Sequence, residues 1–305
     1  MAQVLRGGVI GAGVFGGYHA RQYARLEGVR LAAVFDTHPE RAAALSMPLG
    51  GRAFSDLSAF LAEVDVVTVA SPASRHAEQA IAALKAGKPV YVEKPIAISV
   101  RDAAEVQAAA GGLVVACGHQ ERVVFQAIGL LDVPETPLFL EAIRHGPPSD
   151  RSQDVSAVLD LMVHDLDLAL AIAGAEPLAA EGEGRLGPSE RWDAARSEVS
   201  FENGFTAIFD VSRLAPERRR TMRVVYPSGE VEIDFVARTF RNTTPFALNP
   251  DFADTAAARD PLGASIEGFL KAVRGETARP IVALDEAIRA LDLALAVEQA
   301  LEDAS

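Results

Sequence analysis

Apolar and polar positions follow two rhythms along this chain, and the change comes near residue 120. Before it, residues 4–10, 31–35, 64–70, 89–93 and 113–118 are compact apolar runs rich in Val, Ile, Ala and Phe, the signature of strands buried on both faces. Between them, 18–26, 39–45, 56–62, 76–86 and 100–110 carry helical spacing; Gly87 stops the fourth and Ser99 caps the fifth. Strands alternating with helices predict a parallel, doubly wound sheet with right-handed crossovers. After residue 120 the pattern becomes that of strands in sequence. Residues 139–144 predict one strand, and 157–173 a helix ended by Gly174. Residues 197–201 and 205–211 flank Glu202-Asn203-Gly204, and 221–226 and 230–235 flank Pro227-Ser228-Gly229, two hairpin signals. The stretch 175–187, rich in Gly, Ala and Glu, predicts a loop at its start, and 262–274 and 284–301 predict two closing helices.

The glycines give the first half its chemistry. Gly11, Gly13 and Gly16 join the first strand to the first helix, and Asp36 closes the second strand 20 residues after Gly16. This is the G-x-G-x-x-G pattern in its strand–turn–helix context. Gly11 permits the tight turn, Gly13 lets backbone approach a pyrophosphate, and Gly16 lets the helix lie close to the strand. The helix N-terminus then offers donors and partial positive charge to phosphates. Asp36 would accept from ribose hydroxyls and repel a 2′-phosphate, so NAD is expected rather than NADP. The expected architecture is α/β: an N-terminal Rossmann domain over residues 1–119, then an α+β domain over 120–305 with an open, mostly antiparallel sheet.

Composition narrows the classes. A chain of 305 residues suits two domains. The formal net charge of −13 argues against nucleic-acid binding, and no apolar stretch is long enough to cross a bilayer. Cys117 is the only cysteine, which excludes an intrachain disulfide framework. With no basic segment and apolar core at the start, a cytoplasmic location is expected.

Several side chains then stand out. Ser71, Lys94 and His119 follow predicted strand ends, where ligands of doubly wound sheets bind. Lys94, in Glu93-Lys94-Pro95, offers a compact charge with three donors; the bland alternative is a solvated surface lysine. On the helix over 157–173, Asp160 and His164 fall one turn apart with Asp167 continuing the stripe. A carboxylate-oriented histidine suits general-base work near neutral pH; the alternatives are a solvated polar face or a metal site. No second histidine lies at ligand spacing on that helix, so no metal is expected. His76 would meet the cofactor or cap its helix. Arg144 and Arg151 are candidates for an anionic substrate group, and Arg218-Arg219-Arg220 reads as a solvated strand entrance. Val199, Phe201, Phe205, Ile208, Val224 and Val231 suggest an apolar sheet face seeking a partner, hence a homodimer or homotetramer.

The Gly11–Gly16 loop, Asp36, Ser71-Pro72 with His76, Glu93-Lys94-Pro95, Gly118-His119-Gln120-Glu121-Arg122, and Asp160 with His164 resemble, in order, the motifs of the Gfo/Idh/MocA family. The resemblance is nearest to the family's UDP-N-acetylglucosamine 3-dehydrogenase-like members. It implies NAD-dependent oxidation of a sugar secondary hydroxyl, the 3-hydroxyl of a UDP-N-acetylhexosamine. Lys94, His164 and Asp160 would be catalytic, with Asp160 orienting the imidazole. Gly11, Gly13, Val14, Phe15, Gly16, Asp36, Thr37, Ser71, Pro72, His76, Glu93, Lys94 and Gln120 would serve the cofactor. Arg122, Arg144, Arg151 and His164 would serve the substrate. Val123 and Met162 depart from residues common in the family, and no motif after about residue 175 matches. Dehydrogenation of a free sugar, inositol or dihydrodiol is the alternative chemistry; a non-catalytic NAD(P)-sensing regulator is the alternative class.

Overall fold

The computed structural model describes residues 4–149, 153–188 and 190–304. Its residues gather into two units, Met1–His119 with Leu262–Ala287, and Gln120–Pro261 with Ile288–Ser305. The sequence expectation divides the chain once, after residue 119. Here residues 262–287 group with the first unit.

The first unit is built on strands β1 (Leu5–Ile10), β2 (Val29–Phe35), β3 (Arg52–Phe54), β4 (Val66–Val69), β5 (Val90–Val92) and β6 (Val115–Cys117). All pair in parallel, in the order β3-β2-β1-β4-β5-β6, the order of a doubly wound sheet. The connecting helices are α1 (Val14–Arg25), α2 (Pro39–Ser46), α3 (Leu57–Ala62), α4 (His76–Lys85) and α5 (Val100–Ala110). Their starts follow local capping chemistry: Asp56 accepts from Ala59 N at 2.7 Å, and Ser99 from Asp102 N at 3.0 Å. The short edge strand β3, with three largely exposed residues, was not foreseen because it has no apolar run.

Residues 262–287 join this unit for two reasons. Ile266, Phe269 and Leu270 complete a core with Val9, Tyr23, Leu31, Val34 and Tyr91. The backbone near Ala283 also lies along β6, with Cys117 N donating to Val282 O at 3.1 Å.

The second unit contains α6 (Glu121–Ile128), β7 (Phe139–His145), a π-helical stretch Val158–Met162 and α7 (Val163–Ala173). Then come β8 (Pro177–Leu186), β9 (Trp192–Phe201), β10 (Thr206–Ser212), β11 (Arg219–Tyr226), β12 (Gly229–Asp234) and β13 (Thr239–Asn242). The chain closes with α8 (Ala256–Arg259), α9 (Pro261–Val273) and α10 (Leu284–Asp303). The seven strands run β13-β12-β11-β7-β10-β9-β8, antiparallel except for the β7–β10 pair. A short break over residues 174–176 leads into the edge strand β8, whose residues are mostly exposed and so lack an apolar face to betray it.

Alternation decides which side of this sheet is apolar. Val199, Phe201, Phe205, Val224 and Val231 are buried. Of the six residues expected on an open face, only Ile208 shows the partial exposure of that side, beside Phe139, Ile143 and Val225. The open face is therefore mixed: Glu141, Arg223, Glu232 and Arg241 border a depression of about 470 Å³ on it.

Candidate active site

In the first unit, the glycine loop meets a demanding geometric test. Gly11 has φ +99°, and a Cβ there would stand 2.8 Å from Ala70 O. A Cβ on Gly16 would fall 1.7 Å from Gly11 O, so the first turn of α1 closes directly onto the loop. A Cβ on Gly13 would meet nothing within 4 Å. The loop is thus tight where the fold needs it and open where backbone must approach a ligand. Gly13 caps α1 without a side chain, and the first turn carries no acidic residue, which leaves its partial positive charge to face an anion. Val14 is exposed and Phe15 half-buried in that turn, and a depression of about 620 Å³ borders Gly13, Val14, Tyr18, Arg21 and Arg41.

At the end of β2, Asp36 accepts from Ala12 N at 2.8 Å and from His38 N at 2.9 Å, so its carboxylate is fixed beside the loop. Burial opposes its charge, but the donors from His38 and Ala12 outweigh it and hold the carboxyl below its ordinary value. Thr37 follows, exposed. These residues fit a dinucleotide: an open Gly13, an uncapped helix end and an ionised acid at the ribose position.

The lysine strand end is held from both sides. Glu93 is buried, with Oε1 at 2.7 Å from His19 Nε2 on α1, and its carboxylate packs on Gly118. Burial favours its neutral form, yet His19 holds it below its ordinary value. Pro95 follows Lys94 through a cis peptide bond, and Pro95 O lies 2.7 Å from His76 Nδ1. His76 Nε2 lies 2.9 Å from Ser71 O, so one buried imidazole ties the loop after β4 to the loop after β5. Burial pushes the His76 pKa down, against the two carbonyl oxygens, which favour the charged ring. Glu93 and His76 therefore brace loops from inside the unit. Between them, Lys94 is only partly buried. Pro72 is exposed, and Ser71 Oγ donates to Gln79 Oε1 at 2.6 Å.

The second unit holds the histidine. His164 opens α7 directly after the π-helical stretch that contains Asp160. Its side chain is 14% exposed, and its Nδ1 stands 2.8 Å from Glu121 Oε2. Glu121, at the start of α6, also accepts from Arg144 Nη1 at 2.8 Å. Arg144, 2% exposed on β7, makes a two-pronged pair with Asp165: Nε to Oδ2 at 2.8 Å and Nη2 to Oδ1 at 2.7 Å. Burial works against both charges in this chain of contacts. His164 and Arg144 nevertheless hold the Glu121 carboxyl well below its ordinary value, and Asp165 and Glu121 push the Arg144 pKa upward.

Three expectations change here. The carboxylate at His164 Nδ1 is Glu121, to which the sequence reading gave no role. Asp160 Oδ2 lies 3.9 Å from Arg213 Nη1, and Arg213 in turn pairs with Asp193. Arg122 and Arg144, expected to grip a diphosphate, are buried and committed: Arg122 donates through Nε and Nη2 to Asp167 at 2.8 and 2.9 Å. Asp167 is correspondingly sealed rather than part of an open polar stripe. Gln120 belongs to the second unit, at the N-cap of α6. Arg151 lies outside the described residues. Among the described residues no group of three or more His, Cys, Asp or Glu is arranged to hold a metal ion.

Comparison with known proteins agrees with this geometry. A family model described as "Oxidoreductase family, NAD-binding Rossmann fold" matches residues 5–119, and one described as "GFO/IDH/MocA C-terminal domain" matches 142–232. The chain is 37% identical to UDP-N-acetylglucosamine 3-dehydrogenase of Acidithiobacillus ferrooxidans over 91% of its own length and 90% of that protein's. A solved structure of that enzyme superposes with a TM-score of 0.90 over 99% of both chains at 34% identity. Inositol 2-dehydrogenase 3 of Saccharopolyspora erythraea is 33% identical over 53% of this chain and 52% of its own. The WlbA dehydrogenase from Bordetella pertussis, solved with NADH and UDP-GlcNAcA, shares the fold at a TM-score of 0.89 and 19% identity, covering 99% of this chain and 97% of its own. With two family models covering most of its length and a relative of this likeness across nearly all of it, the chain belongs to the Gfo/Idh/MocA family of NAD-binding oxidoreductases.

Proposed function

We propose that this enzyme oxidises the 3-hydroxyl of a UDP-N-acetylhexosamine to a ketone with NAD. The observation that carries the reading is the 37% identity, sustained over 91% of the chain, to a UDP-N-acetylglucosamine 3-dehydrogenase. In this reading the first unit serves the cofactor and the second the sugar. NAD, when bound, supplies the hydride acceptor. The glycine loop and the start of α1 hold its pyrophosphate, and Asp36 holds the ribose.

His164 takes the hydroxyl proton. With Nδ1 2.8 Å from Glu121 Oε2, Nε2 is the nitrogen that takes the proton. Glu121 is the positioning carboxylate: it fixes the ring and favours the imidazolium that forms. Arg144 and Asp165 fix Glu121 in turn, so Arg144 and Arg122 support the base rather than the substrate's phosphates. Lys94 donates to the reacting oxygen and favours its developing negative charge. Asp160, on the helical segment that carries His164, adds a second carboxylate whose place depends on Arg213. Among the described residues no helix is long and apolar enough to cross a membrane. We place the enzyme in the cytoplasm as a homodimer or homotetramer, joined through the mixed open face of the seven-stranded sheet.

The test is a panel of UDP-N-acetylglucosamine, N-acetylglucosamine and myo-inositol, each with NAD, scored by NADH absorbance. The UDP-sugar should exceed the others in kcat/KM by at least a hundredfold. Inositol turning over best would refute the assignment in favour of the inositol dehydrogenases that also resemble this chain. If Lys94→Ala binds NAD but transfers no hydride, the chain is an enzyme; a wild type that binds NAD and oxidises nothing would make it a sensor.

A further inference from the structure

Among the described residues, Arg220 differs from Arg144 and Arg213, which are paired with carboxylates. It lies on β11, directly opposite Arg144 of β7 in the strand register. Along β11 the buried residues Met222, Val224 and Tyr226 alternate with the more exposed Thr221, Arg223 and Val225. Arg220 shares the parity of the buried set, so it projects to the side on which Arg144 meets Glu121. Arg219 and Arg223 point to the other side, where they border the depression on the open face. The strand thus splits the Arg218-Arg219-Arg220 run, and the expectation of a uniformly solvated strand entrance fails at Arg220.

Its neighbours are committed elsewhere. Arg144 directs all three guanidinium nitrogens at Asp165 and Glu121, and Glu121 divides its two oxygens between Arg144 and His164. The Arg220 guanidinium makes no hydrogen bond or ion pair with any of the described residues, although Glu121 and Asp165 act on it through space. It is half-buried rather than in open solvent. Burial, and then the like charge of Arg144, push its pKa down, the mark of a cation held where its own fold does not fully compensate it. A guanidinium presents five donors in a planar fork that matches an oxyanion.

We propose that Arg220 is the substrate's anion receptor: its guanidinium binds an oxyanion group of the sugar substrate, in the second unit, beside the His164–Glu121 pair. The chemistry is a charge-assisted, two-pronged hydrogen bond to a phosphate or carboxylate oxygen pair. The source is either the diphosphate of a nucleotide sugar or a carboxylate on the sugar ring. This rests on the reading of the second unit as the sugar-binding one. It assigns to Arg220 the task first expected of Arg122 and Arg144, which the fold has already neutralised.

The experiment measures binding directly, apart from turnover. Full-length enzyme, with and without Arg220→Gln, is titrated calorimetrically with UDP, UDP-N-acetylglucosamine, and UDP-N-acetylglucosaminuronate; Arg220→Lys and thermal melts accompany each. Loss of the fork should weaken the responsible probe about 10- to 100-fold. Arg220→Lys should recover part of the loss, and the melting temperature should stay near that of wild type. Equal weakening of all three probes identifies the diphosphate. Weakening confined to the uronate identifies the ring carboxylate. Affinities within twofold of wild type for all three, or no measurable binding of any to the wild type, overturn the proposal. In kinetics the variant should raise KM with kcat within a few fold; a fall in kcat at constant KM would instead make Arg220 a partner of the base and overturn the receptor role. A wild type that binds UDP through Arg220 yet oxidises no UDP-sugar would sink the proposed reaction and leave the anion site standing.

Discussion

Replacing Glu121 by Gln tests the base assembly at its least redundant point. The change is nearly isosteric and removes one negative charge 2.8 Å from His164 Nδ1. It leaves an amide oxygen that can still accept from Arg144 Nη1, and it leaves the two-pronged Arg144–Asp165 pair untouched. The fold should therefore survive. The lost interaction is strongest when the imidazole becomes charged, as His164 takes the proton. A hydrogen bond to a charged partner contributes about 1.5–3 kcal/mol net. Bare Coulomb attraction between unit charges at about 4 Å and an effective dielectric constant of about 20 sets a ceiling near 4 kcal/mol. Glu121 is only 15% exposed, so solvent screens little of this. At about 1.4 kcal/mol per decade, kcat should fall roughly 10- to 150-fold.

Steady-state NADH formation with saturating NAD and a varied UDP-sugar reads this out as a split. The loss should sit in kcat, since the interaction grows in the transition state, and KM should move less than threefold. Glu121→Asp, which restores charge on a shorter arm, should recover part of the rate; Glu121→Ala should be worse, because it also leaves a buried Arg144 donor unmatched. If Glu121→Gln turns over within twofold of wild type while KM rises, the carboxylate binds substrate and does not position the base.

Two further outcomes follow from the first unit. Gly16→Ala would drive a methyl group into Gly11 O and should lower both the melting temperature and NAD affinity, whereas Gly13→Ala has open space and should melt like wild type while losing NAD affinity; both are read from thermal shift with and without NAD, and equal effects of the two would refute the division of labour in the loop. Acid should destabilise the chain in two steps. Burial holds His76 below its ordinary value of 6.5, and Glu93 and Glu121 are held below 4.5, so at each group the unfolded chain binds the proton first as pH falls. Stability should be full above about pH 6.5, begin to decline there as unfolded His76 protonates, and decline more steeply below about 4.5. Scanning calorimetry across this range checks it, and a chain more stable at pH 4 than at pH 7 would contradict the assignment.

What the sequence disclosed, and what it hid, divides along physical lines. The glycine loop and Asp36 were legible because their requirements are local: a left-handed φ at Gly11, a contact at Gly16 and an acid at a strand end are settled within one strand–turn–helix unit. The alternation of apolar runs likewise disclosed the parallel sheet, since its strands other than the exposed edge strand β3 are largely buried on both faces. The closing helices were legible as helices, but an apolar stripe of Ile266, Phe269 and Leu270 does not say which core it fills. The chemistry of the second unit was less legible because it depends on pairings across long separations. Glu121 reaches His164 from another helix, and the stretch Val158–Met162 that carries Asp160 is π-helical, a departure that apolar spacing does not announce.

The arginines carry the general lesson. Arg122, Arg144 and Arg220 are the same residue in a sequence, yet two of them meet carboxylates at i positions far along the chain and one does not. Asp165, given no role by its spacing, and Asp167, read as part of a polar stripe, are what neutralise Arg144 and Arg122. A buried ion pair of this kind is held by its own partners, and breaking it for a ligand would leave an uncompensated charge in low dielectric. Guanidiniums so paired are therefore poor receptors for a diphosphate, however well their positions suit one. Which arginine remains for an anion then depends on strand register, because a shift of one residue on β11 exchanges Arg219 for Arg220 on the side facing the histidine. Register is set by the whole sheet, so the residue that matters most for an anionic substrate is the one that local sequence could least identify.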